Sequence, residues 1–363
     1  MTSAASVRPL KAGVVGLGWA GRQHIAAYDA LPDVELVAIA GEEPAMLEKL
    51  GDDYGVPHRV ASWQELLDVP GLDVVSIAVP TFLHAPIAIA ALERGIHVLT
   101  EKPIARDGAE GQTMVDAARR AGRVLEVVFN HRLRGDVQAL TNVVAGGELG
   151  RPYYTRATWM RRQGIPFLGS WFTNQERSGG GPLIDIGVHV LDYALHILGE
   201  PRVVSVTAST YSELGPRGLG GTSRTPAENS AYEVEDFATA FLRLEDGGTL
   251  IIEASWAVYR AQSDLMDVRV FATDGGAELV IDGASLAPAG ELTVYRDTDG
   301  EIDDRVIEAS QGPAHAGVVA AFVEHVRDPE TWAQHDGSLA LERARIVDAC
   351  YRSAADKREV VLG

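Results

Sequence analysis

A carboxylate and an imidazole stand four residues apart in Gly179-Gly180-Gly181-Pro182-Leu183-Ile184-Asp185-Ile186-Gly187-Val188-His189. Glycines permit a tight, closely approached backbone, and Pro182 suits a first helical position. The apolar-periodic run on to Leu198-Gly199 predicts one helix, on which Asp185 and His189 share a face. Such a pair beside a glycine-rich loop suits acid–base chemistry on a ligand held close to backbone. The plain alternative is a helix histidine satisfied by Asp185 or Asp192. Asp192 and His196 extend the stripe, and carboxylates with imidazoles are zinc or manganese ligand types. Ligands drawn from one straight helix do not surround an ion, so no metal is expected. A second chemical candidate is Lys102, between Glu101 and Pro103, whose charge is available to a developing alkoxide.

These residues need a scaffold, and the first third of the chain supplies one. Lys11 to Val15 reads as a buried strand, Gly16-Leu17-Gly18-Trp19-Ala20-Gly21 as a turn, and Arg22 to Leu31 as a helix. That is G-x-G-x-x-G in strand–turn–helix context. Gly16 makes the turn, Gly18 admits a pyrophosphate, and Gly21 lets helix pack on strand. The phosphates then lie over the free N–H groups that open the helix, at Trp19 and Ala20. Strands follow at 34–40, 73–79, 96–100 and 123–129, with helices at 44–54, 62–67, 84–94 and 107–121. Ser62 and Glu65 form a capping box. Strictly alternating elements specify a parallel, doubly wound sheet, whose ligands bind at the carboxyl ends of the strands. After the second strand, Gly41 holds the place of the usual ribose-reading acid, and Glu42 follows it. No Arg or Lys stands there for a 2′-phosphate, so NAD is expected, with NADP the alternative. After the third strand come Pro80-Thr81-Phe82-Leu83-His84, and after the fourth Glu101-Lys102-Pro103.

Composition limits the partners. At 363 residues, two domains are the prior. A formal net charge of −19 argues against nucleic acid and anionic membrane. The single cysteine, Cys350, excludes an internal disulfide and fits a cytoplasmic setting. The polar start, Met1 to Pro9, has no apolar run of signal-peptide length, and no run approaches a membrane span.

Together, the Gly16–Gly21 turn, Glu101-Lys102-Pro103, and Gly179-Gly180-Gly181 with Asp185 and His189 resemble the Gfo/Idh/MocA oxidoreductases. The resemblance covers nearly the whole chain and includes Val128-Phe129-Asn130-His131-Arg132 at the domain junction. It implies a dinucleotide-binding Rossmann domain over 1–130, to which Pro80, Thr81, His84, Glu101 and Asn130 contribute cofactor contacts. It implies a second α/β domain over 131–363 with a large, open, mostly antiparallel sheet, its last helices packing back on the first domain. It implies NAD(P)-dependent hydride transfer with a sugar, inositol or related polyol. In those roles His189 is the general base, Lys102 bonds the substrate oxygen, and Asp185 orients substrate or base. The family also suggests a redox-assisted glycoside hydrolase or lyase with no net cofactor turnover. A third class, a sensor without turnover, would lack the polar groups that survive at 102, 185 and 189.

The remaining chain agrees with an antiparallel second domain. Residues 153–160 alternate between two faces; strands follow at 203–211, 235–244, 249–258, 267–272, 277–281, 292–296 and 302–307. Asp246-Gly247-Gly248 is a hairpin turn, and 137–145, 314–327 and 338–354 read as helices. Residues 212–231 read as a long loop, the kind that is functional or disordered. Arg161 and Trp171 are candidate substrate contacts, the indole face stacking on sugar C–H and the guanidinium bonding hydroxyls. An uncovered sheet face predicts a homodimer or homotetramer.

Overall fold

Alternating strands and helices in the first third close into the expected parallel sheet. The computed structural model describes residues 8–222, 232–283 and 289–363. In chain order the elements begin with β1 (Leu10–Val15), α1 (Trp19–Asp29), β2 (Val34–Ala40), α2 (Pro44–Asp53) and β3 (His58–Val60). There follow α3 (Trp63–Leu67), β4 (Val74–Ile77), α4 (His84–Glu93), β5 (His97–Glu101), α5 (Gly108–Ala121) and β6 (Leu125–Val128). The sheet order is β3-β2-β1-β4-β5-β6, all parallel. Strand order reverses at β1, so the turn after β1 opens at the crevice where such sheets bind ligands. The strand β3 is absent from the sequence expectation, because three residues carry no readable alternation. Ser62 and Glu65 make the expected capping box at α3.

The chain then runs through α6 (Gly135–Ala145), β7 (Pro152–Arg161), α7 (Gln175–Ser178), α8 (Val188–Ile197) and β8 (Val203–Tyr211). Next come β9 (Phe237–Leu244), β10 (Thr249–Ser255), β11 (Asp264–Ala272), β12 (Gly276–Asp282) and β13 (Glu291–Tyr295). The short β14 (Asp297–Thr298), β15 (Glu301–Ile302) and β16 (Arg305–Ile307) precede α9 (Ala314–Arg327), α10 (Ser338–Asp356) and β17 (Val360–Val361). Nine strands form one sheet, β16-β13-β12-β11-β7-β10-β9-β8-β17, antiparallel except where β10 meets β7. Of the loop expected over 212–231, residues 212–222 carry a short 3-10 turn at Gly215–Arg217, and 223–231 lie outside the described residues.

Two compact units result. One takes residues up to 105, 109–128 and 315–341; the other takes 106–108, 129–314 and 342–363. In the first, Val319, Phe322, Val323 and Val326 of α9 join Val14, Ile25, Tyr28 and Leu99 in one core. In the second, one face of the large sheet supplies Ala157, Trp159, Ile252, Ala254, Met266 and Val268 to the core. Against them lie Leu183, Ile184, Ile186, Val190, Leu191 and Leu195. The opposite face carries Arg156 on Glu253 at 2.8 Å, Arg269 on Glu278 at 2.7 Å, and Tyr154 edge-on to Phe271.

The run from Pro182 to Leu198 is not the single α-helix expected. Leu183–Gly187 is a π turn, and α8 starts only at Val188. Apolar spacing over five residues does not separate the two windings. Contacts from residues remote in sequence hold the wider turn: the Glu235 carboxylate accepts from the N–H groups of Gly181 and Leu183, each at 2.9 Å. Gly187 lies so close to β10 that a Cβ there would stand 3.1 Å from that of Ala254. Single π turns inside helices are common at functional sites.

Candidate active site

In the first unit the site is backbone and space. Gly16 has φ +99°, and a Cβ on it would stand 2.1 Å from the Ala78 carbonyl oxygen. A Cβ on Gly21 would stand 1.8 Å from the Gly16 oxygen. Both positions are closed to any side chain. At Gly18 no described atom lies within 4 Å of the Cβ position. No side chain caps α1 at Gly18, and its first turn holds no acidic residue. The N–H groups of that turn, including those of Trp19, Ala20 and Gly21, lie at the positive end of a helix that no side chain caps. An anionic pyrophosphate fits this cradle. Trp19 is 54% exposed and meets the edge of His315 at 5.2 Å.

At the end of β2, Gly41 is a packing requirement: a Cβ there would stand 2.6 Å from the buried Leu17 side chain. Glu42 is exposed. Glu43 turns back instead, its Oε2 standing 3.4 Å from the Gly41 Cβ position. The neighbour of Glu42 thus places a carboxylate at the strand end, an orientation that spacing alone does not reveal.

After β4 and β5 the expected cofactor residues divide. Pro80 is half-buried, and Thr81 is buried on a 3-10 turn. His84 is buried and its two ring nitrogens lie 2.9 Å from the Pro103 and Val79 carbonyls. Burial lowers its pKa. Its ring joins the two strand-end loops. Glu101 is likewise turned inward, its Oε1 standing 3.1 Å from His24 Nε2 and 3.4 Å from His315 Nε2. Burial alone would raise its pKa, yet the two histidines hold it well below the usual carboxylate range. Glu101 Oε2 also accepts from the Lys102 N–H at 3.3 Å. So Glu101 anchors the backbone from which the half-buried Lys102 side chain departs. The Lys102–Pro103 peptide is cis.

In the second unit the site is side chains. His189 is 6% exposed and sits in an aromatic box: His131 at 4.6 Å and Trp159 at 5.8 Å between ring centroids. His131 in turn meets Trp159 at 5.1 Å and Tyr193 at 6.3 Å. The Arg161 guanidinium lies 4.9 Å over the Trp159 ring, and Asp264 accepts from the Trp159 indole at 2.7 Å. Asp185, on the π turn, accepts from the indole N–H of buried Trp256 at 2.9 Å. Trp171 stacks on Phe172 at 3.8 Å, and Phe172 stands 6.5 Å from Trp256. The structure therefore gathers His189 with Arg161 through Trp159, and Asp185 with Trp171 through Phe172 and Trp256. Asn130 opens a 3-10 turn in this unit and is half-buried. Spacing does not single out Trp159 or Trp256, and His131 is marked only by its place in Val128–Arg132 at the domain junction.

The glycines before Asp185 correct an expectation. They do not open a space for a ligand. A Cβ on Gly179 would stand 2.3 Å from the Arg106 carbonyl oxygen, one on Gly180 2.0 Å from the Tyr351 hydroxyl, and one on Gly181 2.1 Å from the Glu235 carbonyl oxygen. Protein already fills the room that glycine vacates. Past the π turn, Asp192 is buried and accepts from Arg132 at 2.6 and 2.5 Å and from Arg343 at 3.3 Å. His196 stands 3.8 Å from Glu200. Both find their partners within the second unit.

Comparison with known proteins agrees with this geometry. Residues 10–129 match the oxidoreductase family with an NAD-binding Rossmann fold, and residues 137–278 match the GFO/IDH/MocA C-terminal domain. The chain is 34% identical over 365 residues to D-glucoside 3-dehydrogenase of Escherichia coli (strain K12), covering 100% of both. It is 31% identical over 264 residues to levoglucosan dehydrogenase of Pseudarthrobacter phenanthrenivorans, covering 68% of this chain and 67% of that one. A solved levoglucosan dehydrogenase in complex with NADH and levoglucosan has a TM-score of 0.81 at 25% identity, over 98% of this chain and 99% of that one.

Proposed function

This chain belongs to the Gfo/Idh/MocA oxidoreductases, NAD-dependent enzymes, and from that premise we propose that it oxidises a ring hydroxyl of a sugar, glycoside or related polyol, or reduces the corresponding ketone. The carrying observation is the boxed His189, four residues after Asp185, in a chain aligned end to end with a glucoside 3-dehydrogenase. In this reading the first unit holds the cofactor and the second the substrate.

A nicotinamide cofactor, when bound, would supply the hydride acceptor. The chain's own residues handle binding and the proton. The Gly16–Gly21 turn receives the pyrophosphate. For the adenosine ribose our choice is Glu43 over Glu42, because its carboxylate turns toward the end of β2. His189 takes the hydroxyl proton; an imidazole titrates near neutrality, which suits a general base. The Lys102 ammonium donates to the same oxygen and stabilises its developing negative charge. Asp185, held by the Trp256 indole, orients a substrate hydroxyl. Trp171 and Arg161 supply a stacking face and a donor. We place the enzyme in the cytoplasm and infer a homodimer or homotetramer, formed through the sheet face that carries Tyr154 and Phe271.

Lys102→Ala and His189→Ala should each lower turnover at least about 100-fold while NADH affinity, measured by fluorescence, stays near that of the parent. Near-normal rates in both sink the assignment. Screening glucosides, anhydrosugars, aldoses and inositols by NADH absorbance, with product analysis, tests the reaction itself. A 3-keto product with stoichiometric NADH supports a dehydrogenase. Cleaved glycoside without NADH turns the reading to the redox-assisted lyase. Light scattering in solution settles the assembly, and a monomer would refute that inference.

A further inference from the structure

Glu126, His325 and His335 come from three segments of the first unit and converge on one point. Glu126 lies on β6, His325 in the last turn of α9, and His335 at the end of the 3-10 turn that follows. The Nδ1 atoms of both histidines stand 2.6 Å from Glu126 Oε1. The two imidazoles stack at 3.7 Å with 19° between their planes. The frame around them is fixed. The Leu125 N–H donates to the His335 carbonyl at 2.8 Å, and Asp336 bridges to Leu125 in parallel register. The Asp336 carboxylate accepts from Arg119 Nε at 2.7 Å and from the Ser338 N–H at 2.9 Å. The three side chains stay 18%, 35% and 23% exposed, which leaves one side open to solvent.

We propose that Glu126, His325 and His335 are a binding site for a divalent transition-metal ion of the zinc class. Two imidazole nitrogens and a carboxylate oxygen are a recurrent three-ligand zinc set, with water in the fourth position. One ligand atom from each residue can be chosen so that all lie within 4.8 Å of one another. Zinc holds such ligands at about 2.0–2.2 Å, so neighbouring ligand atoms of a tetrahedral ion stand roughly 3.3 Å apart. Opening the 2.6 Å contacts to that spacing is a shift of less than about 1 Å, within reach of side-chain rotation at a half-open site. Charge favours the ion as well. Two rings stacked this closely cannot both be imidazolium without mutual repulsion, and one carboxylate offsets one charge. A dication bound through Nδ1 leaves both rings neutral. Protons compete for the same nitrogens, so affinity falls in acid. The ion ties the end of α9 and the following turn to the edge of the parallel sheet at β6. The ten-residue gap between the histidines, and a further 199 residues to Glu126, hide this set from motif reading.

The test uses the full chain stripped of metal by chelator. Zinc chloride is titrated by calorimetry and cobalt(II) chloride by visible absorption. One ion per chain, micromolar affinity or tighter, four-coordinate cobalt bands and a raised melting temperature are expected. Glu126→Gln and His335→Ala should each weaken binding more than about tenfold, with NADH affinity unchanged. Absence of zinc binding at neutral pH overturns the proposal and leaves a hydrogen-bonded trio. Binding undiminished in Glu126→Gln overturns it too, by placing the ion elsewhere. If His335→Ala fails to fold, Glu126→Gln, which keeps the side chain's shape, carries the comparison.

Discussion

Two glycine-rich turns serve the proposed chemistry, and Gly18 at the centre of the first is there for the opposite reason to the glycines of the second. At Gly18 the missing side chain leaves a space that no described atom fills, at the head of an uncapped helix. At Gly179, Gly180 and Gly181 the space is already taken by Arg106, Tyr351 and Glu235. The first turn is shaped to receive a ligand through its backbone. The second is wedged so that the π turn behind it holds Asp185 against Trp256. The carboxylates that brace the two regions differ in the same way. Glu101 accepts from two histidines and is pulled far down in pKa, while Glu235 accepts from neutral N–H groups and the Tyr351 hydroxyl, and burial pushes it up. In this protein the two histidines outweigh burial at Glu101, and the neutral donors do not outweigh it at Glu235.

The sharpest test of that contrast is Gly181→Ala. Its methyl would overlap the Glu235 backbone, and overpacking of this kind costs on the order of 3 kcal/mol; urea unfolding should show it. A variant as stable as the parent would mean that the second turn is no wedge. Next in size are the acids. Glu101→Gln should lose about 2 kcal/mol at neutral pH, the scale of hydrogen bonds to a charged group. Because its folded pKa lies below the unfolded value of about 4.3, that stabilisation is complete above this value and disappears as pH falls through the folded pKa. Glu235→Gln should show the opposite slope: with the folded pKa raised, the parent's proton-linked advantage exists below about 4.3 and fades as pH rises through the folded value. Parallel pH profiles in the two variants would erase the distinction. Gly18→Val should weaken NAD at least about tenfold, or 1.4 kcal/mol, by calorimetry, with the melting temperature little changed. Unaltered binding would show that the open space is not the pyrophosphate site. Smallest is Glu43→Gln, expected to weaken NAD roughly threefold, about 0.7 kcal/mol, with Glu42→Gln neutral. The reverse ranking returns the ribose to Glu42.

Legibility in the sequence followed the range of the interactions. The Gly16–Gly21 turn, the capping box at Ser62 and the existence of the long strands rest on local spacing and are legible in it, whereas strand ends such as those of β10 and β11 are not. The same holds for Asp185 and His189 as residue types. What stayed hidden was set by partners remote in sequence. The π turn depends on Glu235 and Ala254, the aromatic box on Trp159 and His131, and the inward turn of His84 on Pro103 and Val79. The strands His58–Val60 and Val360–Val361 are too short for a period to show; pairing with longer neighbours makes them. A glycine run says that side chains are excluded. It does not say whether ligand or protein excludes them.

One consequence follows from the interrupted path of the first unit, whose core takes Val319, Phe322, Val323 and Val326 from α9. A ribosome delivers the whole Gly16–Gly21 turn and all six parallel strands before it reaches residue 130. The apolar surface waiting for α9 stays uncovered while almost two hundred further residues are made. Completion of the nucleotide-binding unit is thus a late event in synthesis, and a nascent chain stalled before α9 carries the whole fingerprint on an unfinished core, a form suited to capture by chaperones.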